Sequence, residues 1–423
     1  MRTLIPVLCA AVALALTSPN AARAQVEGDL LTHGITGSIP GNTPLTQNPG
    51  HVLNLRQVQE LLLELAASPR DRSYIEAALA GSDITPADLE AMHALRAENG
   101  EYVIDFTFLT ADDQRLVRDV SHRYGRSLAE AHLQRWPEIE ETLSAYQMEH
   151  VNQRAVAFVL LGCFALDWGG LRLTSELGYR GSREDWPYLL WALEKRDEFS
   201  VKGFYWGGHS EYTENLALTT FGDHFALPRY GLPDLFWRMP GGLRSVPAPP
   251  EVKSLLARIG NRQLDPLYEQ VTDMVVALRS GEKTAEQLGE AAGTGSAQTE
   301  DLLRLLEELE YVRRVDGHYA AIIPVFGAED RPMILGLLRI SREVTTPWLH
   351  ENYERIQADL GTITPLEYGV PYNEVFNQIW HYIFGYANQT LVAEGKFYDP
   401  YGGTRKYEGF IPVVWHRGVF RPD

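Results

Sequence analysis

The sequence predicts a mainly helical α+β protein made of two related units, each with a helical head, a β-hairpin, long helices and short strands. Three observations predict it. Apolar residues recur at helical spacing over most of the chain, short β-branched and aromatic runs interrupt the helices at two places, and the order of elements around those two places is the same.

The first residues read as an export signal. Arg2 supplies positive charge, Leu4 to Leu16 form an apolar run, and Ala22-Arg23-Ala24 gives a small-residue cleavage pattern. The run is too short for a permanent bilayer span. Residues 1–24 are therefore expected to be removed, giving a periplasmic or extracellular chain that starts at Gln25. Residues 25–50, rich in Gly, Pro, Thr and Asn, read as an extended arm.

The first unit is expected over 51–240. Leu55, Val58, Leu61, Leu62 and Leu65 mark its first helix, and Ser73 to Ala80 a second. Thr85-Pro86 opens a third with an N-cap and Pro at the first turn, and this helix is expected to end at Asn99-Gly100. Tyr102 to Phe108 read as a strand or hairpin arm, and another helix starts near Asp112. The apolar run Ala155 to Leu166, interrupted by Asp167, fits a core helix and not a membrane span. Cys163 would be the only cysteine left after cleavage, so no intramolecular disulfide is expected.

The second unit, 250–423, repeats the order. Leu267 to Leu278 form a helix, Thr284 to Gln287 open a short one with capping-box spacing, and a third runs from Gln298 to Glu310. Tyr311 to Val315 and Tyr319 to Phe326 read as strands joined at Asp316-Gly317, and a long helix follows from Asp330. An offset of 217 pairs Gly100 with Gly317, Tyr102 with Tyr319, Phe106 with Ile323, Phe108 with Val325 and Asp113 with Asp330.

Residues Thr284 to Leu288, Gly293, Leu302, Leu306, Leu309, Tyr311-Val312-Arg313 and Gly317-His318-Tyr319 together resemble a winged helix, a helix-turn-helix domain, over about 266–326. A weaker copy covers about 53–108, and the heads as a whole extend over 53–110 and 266–328. The resemblance implies three helices and a β-wing, with the third helix reading DNA. The residues there oppose that use. Glu300, Asp301, Glu307, Glu308 and Glu310 face a single Arg304, whereas DNA affinity rests on Lys and Arg at phosphates. The formal charge of −18 points the same way.

Two aromatic stretches, 111–240 and 329–423 at their C-terminal ends, supply contact surface for a protein or small ligand. The richest polar set within them is Trp206, His209, Glu211, Asp223, His224, Arg229 and Asp234, carried on glycine-flanked loops. Of these, His209, Asp223 and His224 are the candidate metal ligands, although their spacing matches no zinc signature. His350-Glu351 lacks the second His of H-E-x-x-H. Trp380-His381 and Asn388-Gln389 read as polar contacts of an aromatic helix. No nucleophile elbow, P-loop, dinucleotide fingerprint or C-x-x-C is present, so no cofactor is indicated. The chain is expected to be an exported soluble binding or protein-interaction protein. The alternatives are a metal-assisted hydrolase around His209, Asp223 and His224, or a DNA-binding regulator whose start is not a signal.

Overall fold

Two capping threonines start helices where the sequence places them. Thr85 Oγ1 accepts from the Asp88 amide at 3.2 Å while Asp88 Oδ2 accepts from the Thr85 amide at 3.0 Å. Thr284 and Gln287 repeat the box at 3.2 and 2.9 Å. Each box satisfies two amides that a helix start leaves unpaired. The computed structural model describes residues 30–183, 186–200, 202–223, 231–238, 246, 248–259 and 264–419. The expected export signal lies outside these residues. The protein is α+β and mainly helical.

The chain opens with β1 (Leu31–Gly37), a 3-10 turn at Leu45–Gln47 and α1 (Pro49–Val52). Part of the expected arm is thus a strand, and Leu31 of β1 is buried. The first head follows as α2 (Arg56–Ala67), β2 (Arg70–Asp71), α3 (Arg72–Ala78), α4 (Pro86–Ala91), β3 (Leu95–Glu98), β4 (Glu101–Ile104) and β5 (Thr107–Leu109). The third helix is shorter than expected. It stops at Ala91 because His93 takes φ 55° and turns the chain into β3, and Asn99-Gly100 is a hairpin turn with φ 52° and 87°.

Next come α5 (Ala111–Gln134), α6 (Trp136–Leu143), α7 (Gln153–Ala157), a π-helix at Phe158–Gly169, α8 (Gly170–Glu176) and β6 (Tyr188–Glu194). The run from Gln153 to Glu176 has the length and composition of a membrane span, yet most of it is buried inside the protein. The hairpin β7 (Gly208–Tyr212) and β8 (Leu216–Gly222) precedes α9 (Leu232–Arg238) and α10 (Pro250–Ile259). The second head is α11 (Leu264–Ala277), α12 (Ala285–Ala291), α13 (Ser296–Glu308), β9 (Val312–Val315), β10 (His318–Ala321) and β11 (Val325–Phe326). The chain closes with α14 (Arg331–Asp359), α15 (Thr364–Glu367), α16 (Tyr372–Ala393) and β12 (Phe410–His416).

The two heads agree in detail. The Asp316-Gly317 turn has φ 48° and 87°, and Glu310 has φ 57°, matching Asn99, Gly100 and His93. The Ala94 amide donates to Leu89 O at 2.8 Å, and the Tyr311 amide donates to Leu306 O at the same distance. Arg70 pairs with Tyr102 across β2 and β4, and Lys283 bridges to Tyr319. In each, a parallel strand then joins a later one, β5 to β6 and β11 to β12. That later strand also pairs antiparallel with one preceding the head, β1 or β8. Even the strand ends correspond: Gly37 lies opposite Tyr188, and Gly222 lies opposite Phe410.

By contacts the chain divides into two units that interleave in sequence. One holds the described residues through Val120 with Leu177–Phe199 and Arg355–Ile379, and the other holds the remainder. In the first, Val58, Leu61, Leu62 and Leu65 of α2 pack with Ile75, Leu89, Leu95, Phe106 and Phe108. In the second, the sheet β11-β12-β8-β7 receives the head on one face through Leu218, Val414, Val271, Leu302 and Ile323. Its other face meets the π-helix, with Phe158 5.1 Å from Phe221 and Phe164 5.4 Å from Trp415. Burying each such ring or Leu contributes roughly 1.5–3 kcal/mol.

Candidate functional site

β7 is the outermost strand of its sheet, and its alternation separates two sets of side chains. Ser210 turns toward the π-helix face, where its hydroxyl meets Thr219 Oγ1 at 2.8 Å and Trp415 Nε1 donates to the same Thr219 oxygen at 2.9 Å. His209 and Glu211 turn to the opposite face, toward α9. There the His209 Nδ1–H donates to Asp234 Oδ1 at 3.1 Å, and Nε2 stands 3.5 Å from Glu211 Oε1.

Asp234 is fixed from two sides. It sits in the first turn of α9, where the helix dipole favours a carboxylate, and its Oδ2 accepts from the Thr220 hydroxyl at 2.9 Å. Gly231 makes room for this arrangement, because a Cβ there would overlap Thr220 Cγ2 and lie 2.9 Å from Asp234 Oδ2. The His209 side chain keeps 21% of its surface exposed. Burial pushes its pKa down, but hydrogen bonds and charge from Asp234 and Glu211 outweigh burial and raise it to about 9. At neutral pH the ring is therefore an imidazolium held between carboxylates. In that state it has no lone pair with which to take a proton or bind a metal ion.

Asp223 and Trp206 of the sequence-predicted set are elsewhere in this unit. Asp223 is fully buried and accepts from the Gly203 amide at 2.6 Å, the Phe204 amide at 3.3 Å and the Tyr401 hydroxyl at 2.8 Å. Trp206 is buried against His381, 4.8 Å between ring centres, and near Tyr382 and Phe204. These two belong to an aromatic assembly with Tyr205, whose hydroxyl donates to Asp399 Oδ1 at 2.8 Å. His224 and Arg229 lie outside the described residues. The structure thus brings His209, Glu211 and Asp234 together and sets Asp223 and Trp206 in a different packing environment. Among the described residues no group of three or more His, Cys, Asp or Glu side chains is disposed to hold a metal ion.

Sequence reasoning missed Thr220 and Gly231. The signal for Gly231 was present in Gly231-Leu232-Pro233-Asp234, a helix start with an acid in its first turn. Tyr205, Asp399 and Tyr401 had no local signal, since their partners lie far away in sequence.

The third helix of each head is engaged on one side by other segments of the chain. On α13, Arg258 of α10 donates to Asp301 at 3.0 Å, and both Lys406 and Tyr407 hold Glu308. Arg405 Nη2 donates to Leu309 O and Glu310 O at 3.1 and 3.2 Å, which caps the carbonyl end of that helix. On α4, the Thr46 hydroxyl and Gln47 amide donate to Asp88 at 3.1 and 3.2 Å. The basic spot on the second hairpin is engaged too: Arg313 donates to His150 Nδ1 at 2.6 Å, and Arg314 lies over the Tyr319 ring. No family model matches the chain, and no curated protein or solved structure is significantly similar to it.

Proposed function

We propose that the chain is an exported soluble binding or protein-interaction protein, in which two winged-helix-like heads serve as packing modules and do not read DNA. The observation that carries this reading is α13. Its outer face bears Glu300, Asp301, Glu307 and Glu308, and α10 with the Lys406–Tyr407 segment already engages that face. A helix so charged repels phosphates, and α10 with the Lys406–Tyr407 segment occupies one side of it. The export part of the reading rests on Arg2, Leu4 to Leu16 and Ala22 to Ala24.

The hydrolase reading draws on the Asp234–His209 hydrogen bond, the arrangement that orients a histidine base elsewhere in enzymes. Against it, the imidazolium state at neutral pH leaves the ring without basic character. The test of the main reading is a titration of random-sequence duplex DNA at low salt with the full chain. No retention is expected. Salt-dependent retention that disappears on replacing Arg313 and Arg314 would overturn it.

A further inference from the structure

Among the described residues β7 ends its sheet, and the hydrogen-bond parity shows which groups line its outer edge. The Gly222 amide donates to Gly207 O at 3.2 Å, and the Thr213 amide donates to Leu216 O at 3.0 Å. Between these pairs the antiparallel register is regular, His209 opposite Thr220 and Glu211 opposite Leu218. In an antiparallel ladder every second residue points both peptide groups at its partner and the intervening ones point theirs away. The amides and carbonyls of Gly208, Ser210 and Tyr212 therefore face outward. Among the described residues they have no backbone partner on that side. Every residue of β7 is part-exposed. A row of unpaired donors and acceptors is a template for another strand.

Side chains on the two faces say what kind of strand fits. On one face Glu211, 23% exposed, and Asp234 together outweigh the single charge of the His209 ring between them, and Glu214 is exposed at the tip of the same hairpin. On the other face Tyr212 lies under the Arg417 guanidinium at 5.4 Å, and the Trp168 ring comes within 3.9 Å of where a Gly208 Cβ would stand. An added strand alternates its side chains between these faces. The acidic face favours Lys or Arg, whereas the aromatic face, already holding one cation, favours apolar side chains. We propose that the β7 edge binds an extended peptide in which basic residues alternate with apolar ones. A second copy of this chain is a poorer occupant, because the formal charge of −18 and an apposed Glu211 would repel it.

This deepens the interaction-protein reading and is tested separately from it, since DNA retention decides that reading and leaves the β7 edge untouched. The experiment measures fluorescence anisotropy of a labelled decapeptide of alternating Lys and Val, with a Glu–Val decapeptide as control, at low salt and with the full chain. The decisive variant is Ser210→Pro. It removes one outward amide and the Ser210–Thr219 hydroxyl contact, keeps every inward ladder bond and leaves the charge unchanged, so it separates strand addition from general attraction to an acidic surface. Glu214→Lys is the second variant and alters only charge on an exposed side chain at the hairpin tip. Wild type should bind the Lys–Val peptide at least tenfold tighter than the Glu–Val peptide, and each variant should lose tenfold or more with its melting temperature kept. Should Ser210→Pro not fold, hydrogen exchange in the wild type decides: the Lys–Val peptide should slow exchange over Gly208–Tyr212. Equal affinity of folded Ser210→Pro and wild type, or unchanged exchange at β7, overturns the proposal. So does a dimer that Ser210→Pro converts to monomer, because the edge then belongs to a second copy.

Discussion

The two heads share turns, register and strand partners, but what surrounds them differs. The first has a six-residue third helix, α4, and the sheet of its unit is β1-β6-β5. The second has a thirteen-residue third helix, α13, and a sheet extended by β7 beyond the strand that corresponds to β1. The candidate polar set sits on that extension. His209 and Glu211 are on β7, and Asp234 is on the helix that follows the β7–β8 hairpin. What the heads share is packing, and what distinguishes the second is chemistry. The shared turns, register and strand partners are what a duplication predicts, and β7 is what the second unit's sheet has in addition.

The largest expected effect probes the acids that end the heads. Asp113 and Asp330 correspond, each accepting from the backbone three residues earlier at 2.9 and 2.8 Å. Asp330 additionally receives Arg279 in a two-point ion pair, with Arg279 13% and Asp330 3% exposed. Asp330→Ala removes the buried half of the pair, leaving the guanidinium with Gln147 O at 2.9 Å and the exposed Glu329 at 3.3 Å, and should cost about 3 kcal/mol. Asp113→Ala loses hydrogen bonds from Thr110 and the Thr364 amide and should cost about 1–3 kcal/mol. Urea unfolding of both variants checks the order, and a reversed order would break the comparison at this point.

A second comparison asks whether shared positions carry equal load. Leu89 and Leu306 are both fully buried and occupy equivalent places before the turn into the hairpin. Each replacement by Ala should cost about 2–5 kcal/mol, with the two values within about 1 kcal/mol of each other. A large disparity would show that one head is held mainly by its surroundings.

Two histidines in the second unit should bend stability in opposite directions with pH. His132 is fully buried, with Nδ1 bonded to Leu128 O at 2.9 Å and Nε2 to Ser341 Oγ at 3.0 Å, and burial lowers its pKa to about 4. Its stabilising contribution is complete above the unfolded value of about 6.5 and fades as pH falls toward 4, a loss of about 3 kcal/mol. His209 has a raised pKa, so its contribution is complete below about 6.5 and fades as pH rises toward 9. Thermal melts of His132→Gln should show a shallower acid limb, and melts of Asp234→Asn a shallower basic limb. Identical pH profiles for wild type and variants would sink both assignments.

The smallest effect belongs to Thr220. Thr220→Val removes the hydroxyl that fixes Asp234 and should cost about 1 kcal/mol while lowering the His209 pKa. A stability loss with no change at His209 would mean that Thr220 packs and does not orient.

Features written in local chemistry were legible from the sequence. The Thr85 and Thr284 caps and the hairpin turn at Asp316-Gly317 depend on residues a few positions apart, and each stands as read. Local spacing misled at β3, where Leu89, Met92 and Leu95 keep a helical period although His93 turns the chain. The π-helix was opaque, since an unbroken apolar run carries no mark of its own winding. At the site, His209 and Glu211 were visible as polar residues among aromatics. Their union with Asp234, twenty-five positions from His209, depends on a hairpin and a helix start that bring them together. The sequence offered Asp223, and not Asp234, beside His209 as a metal ligand, but the partners of Asp223 are amides and a tyrosine hydroxyl.

The claim on which the account turns is that His209 is a charge-paired imidazolium and not a base. Titration of its ring followed by NMR, assigned with Asp234→Asn as reference, measures this directly. The account predicts an apparent pKa near 9 that falls in the variant. A wild-type value at or below the ordinary 6.5 would contradict it, leaving a neutral ring with a lone pair for proton transfer or a metal ion and moving the hydrolase alternative ahead of the binding reading.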